Sequence, residues 1–262
     1  MYPRIEIGPL TLQTFGLMFA FAFLAAGALV AKRLKEIGKP VDWAYEIGFA
    51  ALLGGVVGSR VYFVVQNYDS VKEDLLGNLF GGSGLVWYGG AIGGALAVLG
   101  WAWYRGFLRL ALLDLAAPAL ALGYALGRIG CQLSGDGDYG KPWNGPWAMS
   151  YPNGTVPTDR TVHPTPIYET LAMGLGAWVL WQLRDRFRTG VLFALYLVYA
   201  GVERFLVEFI RRNDHVALGL TAAQLESLAM MVLGIGWMYV VRQRHGSLSR
   251  ETAGNLAQNL SS

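Results

Sequence analysis

Three arginines, Arg60, Arg128 and Arg204, stand inside stretches that are otherwise apolar. A guanidinium at the centre of a membrane helix costs at least ~2.5–3.5 kcal/mol on insertion scales, so such residues are rare without a purpose. The planar fork of an arginine fits phosphate and carboxylate through paired hydrogen bonds. Taken singly, each could carry its charge to the membrane surface on its aliphatic stem. Three on three different helices point instead to anion binding. Tyr88 opens another apolar stretch in Trp87-Tyr88-Gly89-Gly90. Glu208 lies four residues after Arg204, on the same helical face, with Glu203 next to Arg204. Arg204 and Glu208 read either as part of a site or as an ion pair that orients the helix. Asp136 and Asp138, in Gly135-Asp136-Gly137-Asp138-Tyr139-Gly140, are either site acids or turn residues. His163 is either a hydrogen-bonding residue at the interface or a proton acceptor, with an intrinsic pKa near ~6.5. The single cysteine, Cys131, reads as a small buried packing residue rather than a nucleophile. It allows no intramolecular disulfide, and no Cys-x-x-Cys spacing offers a metal site. Neither a metal nor a cofactor is expected.

The elements that must position these residues are membrane helices. Hydrophobic residues are 54% of 262 positions and charged residues 15%, where a soluble domain carries about 25% charged residues. The net charge of +3 is too small to suggest nucleic acid as a partner. Seven apolar stretches follow, at roughly 10–31, 43–65, 84–104, 111–133, 165–183, 190–210 and 222–242. The first exceeds the ~7–15 residues of a signal-peptide core and is expected to stay as a helix. Thr221 with Gln224 predicts a capping box on the last helix. Thr165 and Pro166 suit the cap and first position of the fifth. The pairs Gly54–Gly58, Gly89–Gly93, Gly90–Gly94 and Gly123–Gly127 would let helices approach closely. The expected fold class is all-α, a single membrane domain over 1–262 with a long extracytoplasmic loop at 134–164 and a short cytoplasmic tail at 243–262. Trp143 and Trp147 in the loop favour an ordered piece at the membrane surface.

Basic residues give the expected orientation. Lys32, Arg33, Lys35, Lys39, Arg105, Arg109, Arg184, Arg186, Arg188, Arg242, Arg244 and Arg250 fall on one side, and Arg4, Lys72, Lys141, Arg160, Arg211 and Arg212 on the other. This bias places the N-terminus outside and the C-terminus in the cytoplasm. It also brings Arg60, Arg128 and Arg204 to the outer ends of their helices. Asp42, Glu46 and Asp114, at inner helix starts, complement the helix dipole.

With these residues in place, the chain resembles the prolipoprotein diacylglyceryl transferase family. Gly127-Arg128-Ile129-Gly130-Cys131-Gln132-Leu133-Ser134-Gly135-Asp136 is similar to the signature Gly-Arg-hydrophobic-Gly-Asn-x-x-Asn-Gly-Glu. Arg204-Phe205-Leu206-Val207-Glu208 resembles the family's late Arg-x-x-x-Glu helix, and Gly58-Ser59-Arg60, Tyr88-Gly89-Gly90 and His163-Pro164-Thr165-Pro166-Ile167-Tyr168-Glu169 match in order. The chain departs from the pattern at Tyr88, where the family often has histidine, at Cys131 for asparagine, at Asp136 for glutamate and at Phe15 for tyrosine. The resemblance implies a bilayer enzyme of the bacterial inner membrane. It would move the diacylglyceryl group of phosphatidylglycerol onto the lipobox cysteine of a prolipoprotein signal peptide. Arg128 and Arg204 would be the family's important arginines, with Arg60, Gly89, Gly90 and Glu208 binding substrate. Tyr88 would orient the lipid, and the base stays open among Asp136, His163 and Glu208. A diverged homologue that binds phospholipid without transfer is the main alternative reading, and a small-molecule or anion transporter, for which the arginines would line a pathway, is the other. A transporter should show interrupted helices or repeat symmetry, and neither is seen in the sequence.

Overall fold

Long runs of Leu, Ala, Val and Phe without proline or charge favour helix, because a helix satisfies its own backbone where water is scarce. The computed structural model describes residues 1–68 and 86–250, and these hold seven α-helices. They are α1 (Thr14–Glu36), α2 (Trp43–Gln66), α3 (Trp87–Tyr104), α4 (Leu110–Ser134), α5 (Thr165–Leu183), α6 (Val191–Glu208) and α7 (Ala222–His245). Each of the seven apolar stretches therefore has its helix. By length and composition α1, α2, α4 and α7 can each cross a membrane. Lys72, the first residues of the third stretch and the tail beyond Arg250 lie outside the described residues.

The described residues are mostly helical, as expected, with three small two-stranded antiparallel hairpins besides, one before the first helix and two between helices. Arg4–Ile7 (β1) pairs with Leu10–Gln13 (β2), so the first helix starts at Thr14 rather than at Leu10. Gly8 supplies the left-handed turn residue at φ +60°, and the Thr14 hydroxyl bonds back to the Pro3 carbonyl at 3.1 Å. Met149–Tyr151 (β3) pairs with Thr158–Val162 (β4), and His215–Ala217 (β5) with Leu220–Thr221 (β6).

The described residues form two compact units. One runs from Val30 to Leu112 and is built on the crossing of α2 and α3. A Cβ on Gly93 would lie 2.7 Å from the Gly58 Cα, and a Cβ on Gly58 equally close to the Gly93 Cα. Only hydrogen fits there, so the Gly54–Gly58 and Gly89–Gly93 pairs act as expected. Near the other end of this pair, Trp101 Nε1 and Arg105 Nε donate to Glu46 at 2.6 and 2.8 Å. Glu46 thus has a partner beyond the helix dipole.

The other unit holds Met1–Leu29 and the chain from Leu113 onward. Its α4–α5–α6 core packs Ala117, Ala121 and Ala125 of α4 against Met173, Ala177 and Leu180 of α5 and Leu192 of α6. Gly123–Gly127 makes no close approach: the nearest atom to a Cβ on Gly123 is 3.9 Å away, and Gly127 has open space. Asp114, read as complementing its own helix, instead caps α6, accepting from the backbone N–H of Gly190 at 2.6 Å and of Phe193 at 3.0 Å. The capping box of α7 is present as expected. The cap of α5 shifts by one, with Pro164 capping and Thr165 first in the helix.

Candidate active site

The end of α4 delivers Arg128, α5 delivers Glu169 in its second turn, and the end of α6 delivers Arg204 and Glu208. Arg211 follows just after α6. Glu169 is fully buried and lies between all three arginines. Its Oε1 is 3.1 Å from Arg128 Nη2 and 3.0 Å from Arg204 Nη1, and its Oε2 is 3.4 Å from Arg211 Nη1. The Tyr124 hydroxyl donates to the same Oε1 at 2.8 Å and accepts from Arg128 at 2.9 Å. Packing three guanidinium groups this closely demands carboxylates between them, because like charges repel strongly where water is scarce.

Two further acids complete the set. Asp138 takes Arg128 on one oxygen and Arg211 on the other, the latter at 2.5 Å. Burial pushes its carboxyl up, but the two guanidinium groups outweigh that and hold it below its ordinary value. Glu208 faces Arg204 at 3.1 Å and Arg211 at 3.8 Å through Oε2. That oxygen makes a charge contact only, since no donor meets it at hydrogen-bonding angle. Its Oε1 accepts from Thr221 at 2.9 Å and from Asn213 at 2.6 Å. The Arg204–Glu208 pair expected from the sequence is therefore present, inside a larger network of three arginines and three carboxylates.

The loop after α4 closes over this network. Gly135 and Gly137 adopt φ of +58° and +98°, turning the chain so that Asp138 points back at Arg128. Tyr151 is fully buried against Tyr139 at 4.8 Å and donates to Gln132 of α4 at 2.9 Å. The Thr165 hydroxyl donates to the Asp138 carbonyl at 2.5 Å, and Lys141 N–H to the Ile210 carbonyl at 2.7 Å. This order over the loop agrees with its expected ordered character.

Asp136, expected beside Arg128, is not its ion-pair partner; Asp138 takes that place. Asp136 sits against Cys131 and the Asp138 backbone, and burial pushes its carboxyl above its ordinary value. Cys131 is buried, with its sulfur 3.8 Å from Arg128 Nη1. Cys131, Asp136 and Asp138 each bring one donor atom within 4.8 Å of the others. A cation held there would compete with two guanidinium groups for Asp138. His163 stacks on Trp143 at 4.4 Å, within 3.4 Å of the Tyr168 hydroxyl, and burial lowers its proton affinity. Arg60, Tyr88, Gly89 and Gly90 belong to the α2–α3 unit. There Gly89 and Gly90 face α2 backbone, Arg60 is half-buried and Tyr88 is exposed.

Sequence reasoning passed over Glu169, Arg211 and Tyr124 as site residues and left Asp138 between site acid and turn residue. Glu169 had a readable signal, being the single acid in an apolar stretch that lies between two stretches carrying an arginine each. Arg211, counted with the outer loops, is 8% exposed and sits inside the network.

A family model described as prolipoprotein diacylglyceryl transferase matches residues 4–240. The chain is similar to the phosphatidylglycerol–prolipoprotein diacylglyceryl transferase of Clostridium tetani, 33% identical over 235 residues that cover 88% of this chain and 93% of that protein. It is 33% identical over 234 residues to the protein of that name from Leptospira interrogans, covering 78% and 73%. The one from Acinetobacter baumannii is 32% identical over 268 residues, covering 93% and 95%. With arginine-bearing helices at the motif positions and agreement along nearly its whole length, the chain belongs to the prolipoprotein diacylglyceryl transferase family.

Proposed function

We propose that this protein transfers the diacylglyceryl group of phosphatidylglycerol to the lipobox cysteine thiol of prolipoproteins, at the outer leaflet of the bacterial inner membrane. The observation that carries this reading is the buried meeting of Arg128, Arg204 and Arg211 around Glu169. Their side chains are 13%, 24% and 8% exposed, so Arg204 is the most open to a ligand. The carboxylates hold the guanidinium planes in place before any lipid arrives. Prepositioned donors of this kind stabilise charge as it develops on a departing phosphate without first reorganising. The thiol must become a thiolate to attack. Sulfur then bonds to the glycerol carbon, the carbon–oxygen bond to phosphate breaks, and glycerol phosphate leaves with the electron pair. For Arg60, Tyr88, Gly89, Gly90, Asp136 and His163 the proposed substrate or proton-transfer roles rest on their motifs.

The test is purified protein with labelled phosphatidylglycerol and a lipobox peptide. A thioether product is expected, with Arg128→Lys and Arg204→Lys each lowering turnover on the order of 10²-fold because lysine cannot make paired planar contacts. Lipid binding without product would leave the non-transferring reading in its place.

In the same proposal all seven helices span the bilayer, with the N-terminus outside and the C-terminus in the cytoplasm. Tags at the N-terminus and within 143–154 should be reachable from outside, and one near Arg244 only from inside. Both termini on one side would reject this topology.

A further inference from the structure

The acids around the arginines are not alike. Asp138, Glu169 and Glu208 each contact two or three guanidinium groups. The carboxyl of Glu203, one residue before Arg204 on α6, holds no hydrogen bond and no ion pair among the described residues. It is nonetheless half-buried and electrostatically coupled to its surroundings. Those surroundings are Tyr124 and Arg128 of α4, Glu169 of α5, Tyr199 and Arg204 of α6, and Arg211. A carboxyl taken partly out of water without donors is costly, and glutamine or leucine would avoid that cost. Uncompensated groups of this kind gather where chemistry is done.

We propose that Glu203 is the group that takes the proton from the incoming thiol; the assignment rests on the transfer reading above. The S–H proton moves to a Glu203 oxygen as the sulfur forms its bond to the glycerol carbon. The carbon–oxygen bond to phosphate breaks, the electron pair leaves on glycerol phosphate, and Glu203 then returns the proton to water. The other acids are poorer acceptors for a stated reason. Two guanidinium groups hold the Asp138 carboxyl below its ordinary value, and Glu169 and Glu208 are already occupied by two or three guanidinium groups each. Asp136 sits against Cys131 and already accepts from the Asp138 N–H at 3.3 Å. His163 is sandwiched at the loop end between Trp143 and Tyr168. Glu203 lies beside Arg204, the guanidinium most open to a ligand.

The experiment compares the full-length protein with Glu203→Gln and Glu203→Asp, using labelled phosphatidylglycerol and a lipobox peptide across the neutral pH range. Glu203→Gln should lower turnover by roughly 10²–10⁴-fold, leave KM for lipid within about threefold, and flatten the ascending limb of the pH–rate profile. Glu203→Asp should keep that limb with part of the rate. Because no partner is lost, the thermal midpoint of Glu203→Gln should be no lower than that of the parent. A Gln variant with parental turnover, or with the ascending limb intact, overturns the assignment. So does a lowered midpoint accompanied by an unchanged limb, which marks a structural acid. If the parent itself gives no thioether product, the transfer reading fails and this assignment with it; if only the Gln comparison fails, the transfer reading stands.

Discussion

Helices α2 and α3 meet along glycine backbone, whereas α4, α5 and α6 meet at one end through six charged side chains. At the first crossing Gly58 and Gly93 come so close that a methyl group would strike main-chain atoms. That contact desolvates little polar surface and gains dispersion over a broad face. At the second, Arg128, Arg204 and Arg211 surround Glu169 with Asp138 and Glu208 beside them. Taking that many charges out of water costs several kcal/mol per ion before any attraction is counted. Both arrangements hold helices together, but only the second costs more than a stable contact requires. The difference teaches where to look for chemistry: in the region whose composition stability alone would not select.

The comparison breaks hardest at Glu169. Replacing it with alanine leaves three guanidinium groups sharing one lost partner, and should destabilise the protein by about 3–5 kcal/mol as well as stop turnover. Thermal unfolding in detergent measures this, and an unchanged midpoint would show that the arginines do not depend on one another's counter-ion. Next in size, Gly93→Ala should cost about 1–3 kcal/mol through overpacking. Gly100→Ala, on the same helix with open space around it, should be neutral or gain up to about 1 kcal/mol in helix propensity. Equal effects at the two glycines would dismiss the close crossing as the source of stability.

The smallest effect separates the two regions by pH. The folded-state pKa of Asp138 is depressed, since its two arginines outweigh burial. Its contribution is therefore full above the ordinary aspartate value of 3.8 and is lost as pH falls through the lower folded value. Each unit of depression is worth about 1.4 kcal/mol. Midpoints followed down the acid range should fall less steeply in Asp138→Asn than in the parent, while Gly93→Ala keeps the parental slope. A parental slope in Asp138→Asn would remove Asp138 from the acid response.

The helices were legible because some twenty apolar residues in a row have few other ways to satisfy their backbone. The glycine crossing of α2 and α3 was legible as well, since the four-residue spacing places Gly54 with Gly58 and Gly89 with Gly93 on one face. The first hairpin was not, because Leu10-Thr11-Leu12-Gln13 runs into the apolar stretch and differs from helix only in its partner, Arg4–Ile7. Arg128, Arg204 and Glu208 could be named from type and spacing. The arginines' common partner was only half legible: Glu169 stands out as an acid in an apolar stretch, but near a helix start a single acid also suits the dipole, and only tertiary packing brings it under three arginines. The exchange of Asp136 for Asp138 has the same origin. Two aspartates two residues apart in a glycine-rich turn are equivalent by sequence, and the left-handed angles of Gly135 and Gly137 decide which one faces Arg128.

Thr221 has one hydroxyl with two duties. It accepts the Gln224 N–H at 3.2 Å, beginning α7, and it donates to Glu208 at 2.9 Å. Seen from the ribosome, α7 is made after α6, the helix that carries Glu208. A nascent chain stopped short of Thr221 would hold every arginine of the network but lack one of the two neutral donors to Glu208. Completion of the site thereby waits for the start of α7. Truncated chains are left with an under-satisfied buried acid, the kind of defect that membrane quality control can act upon.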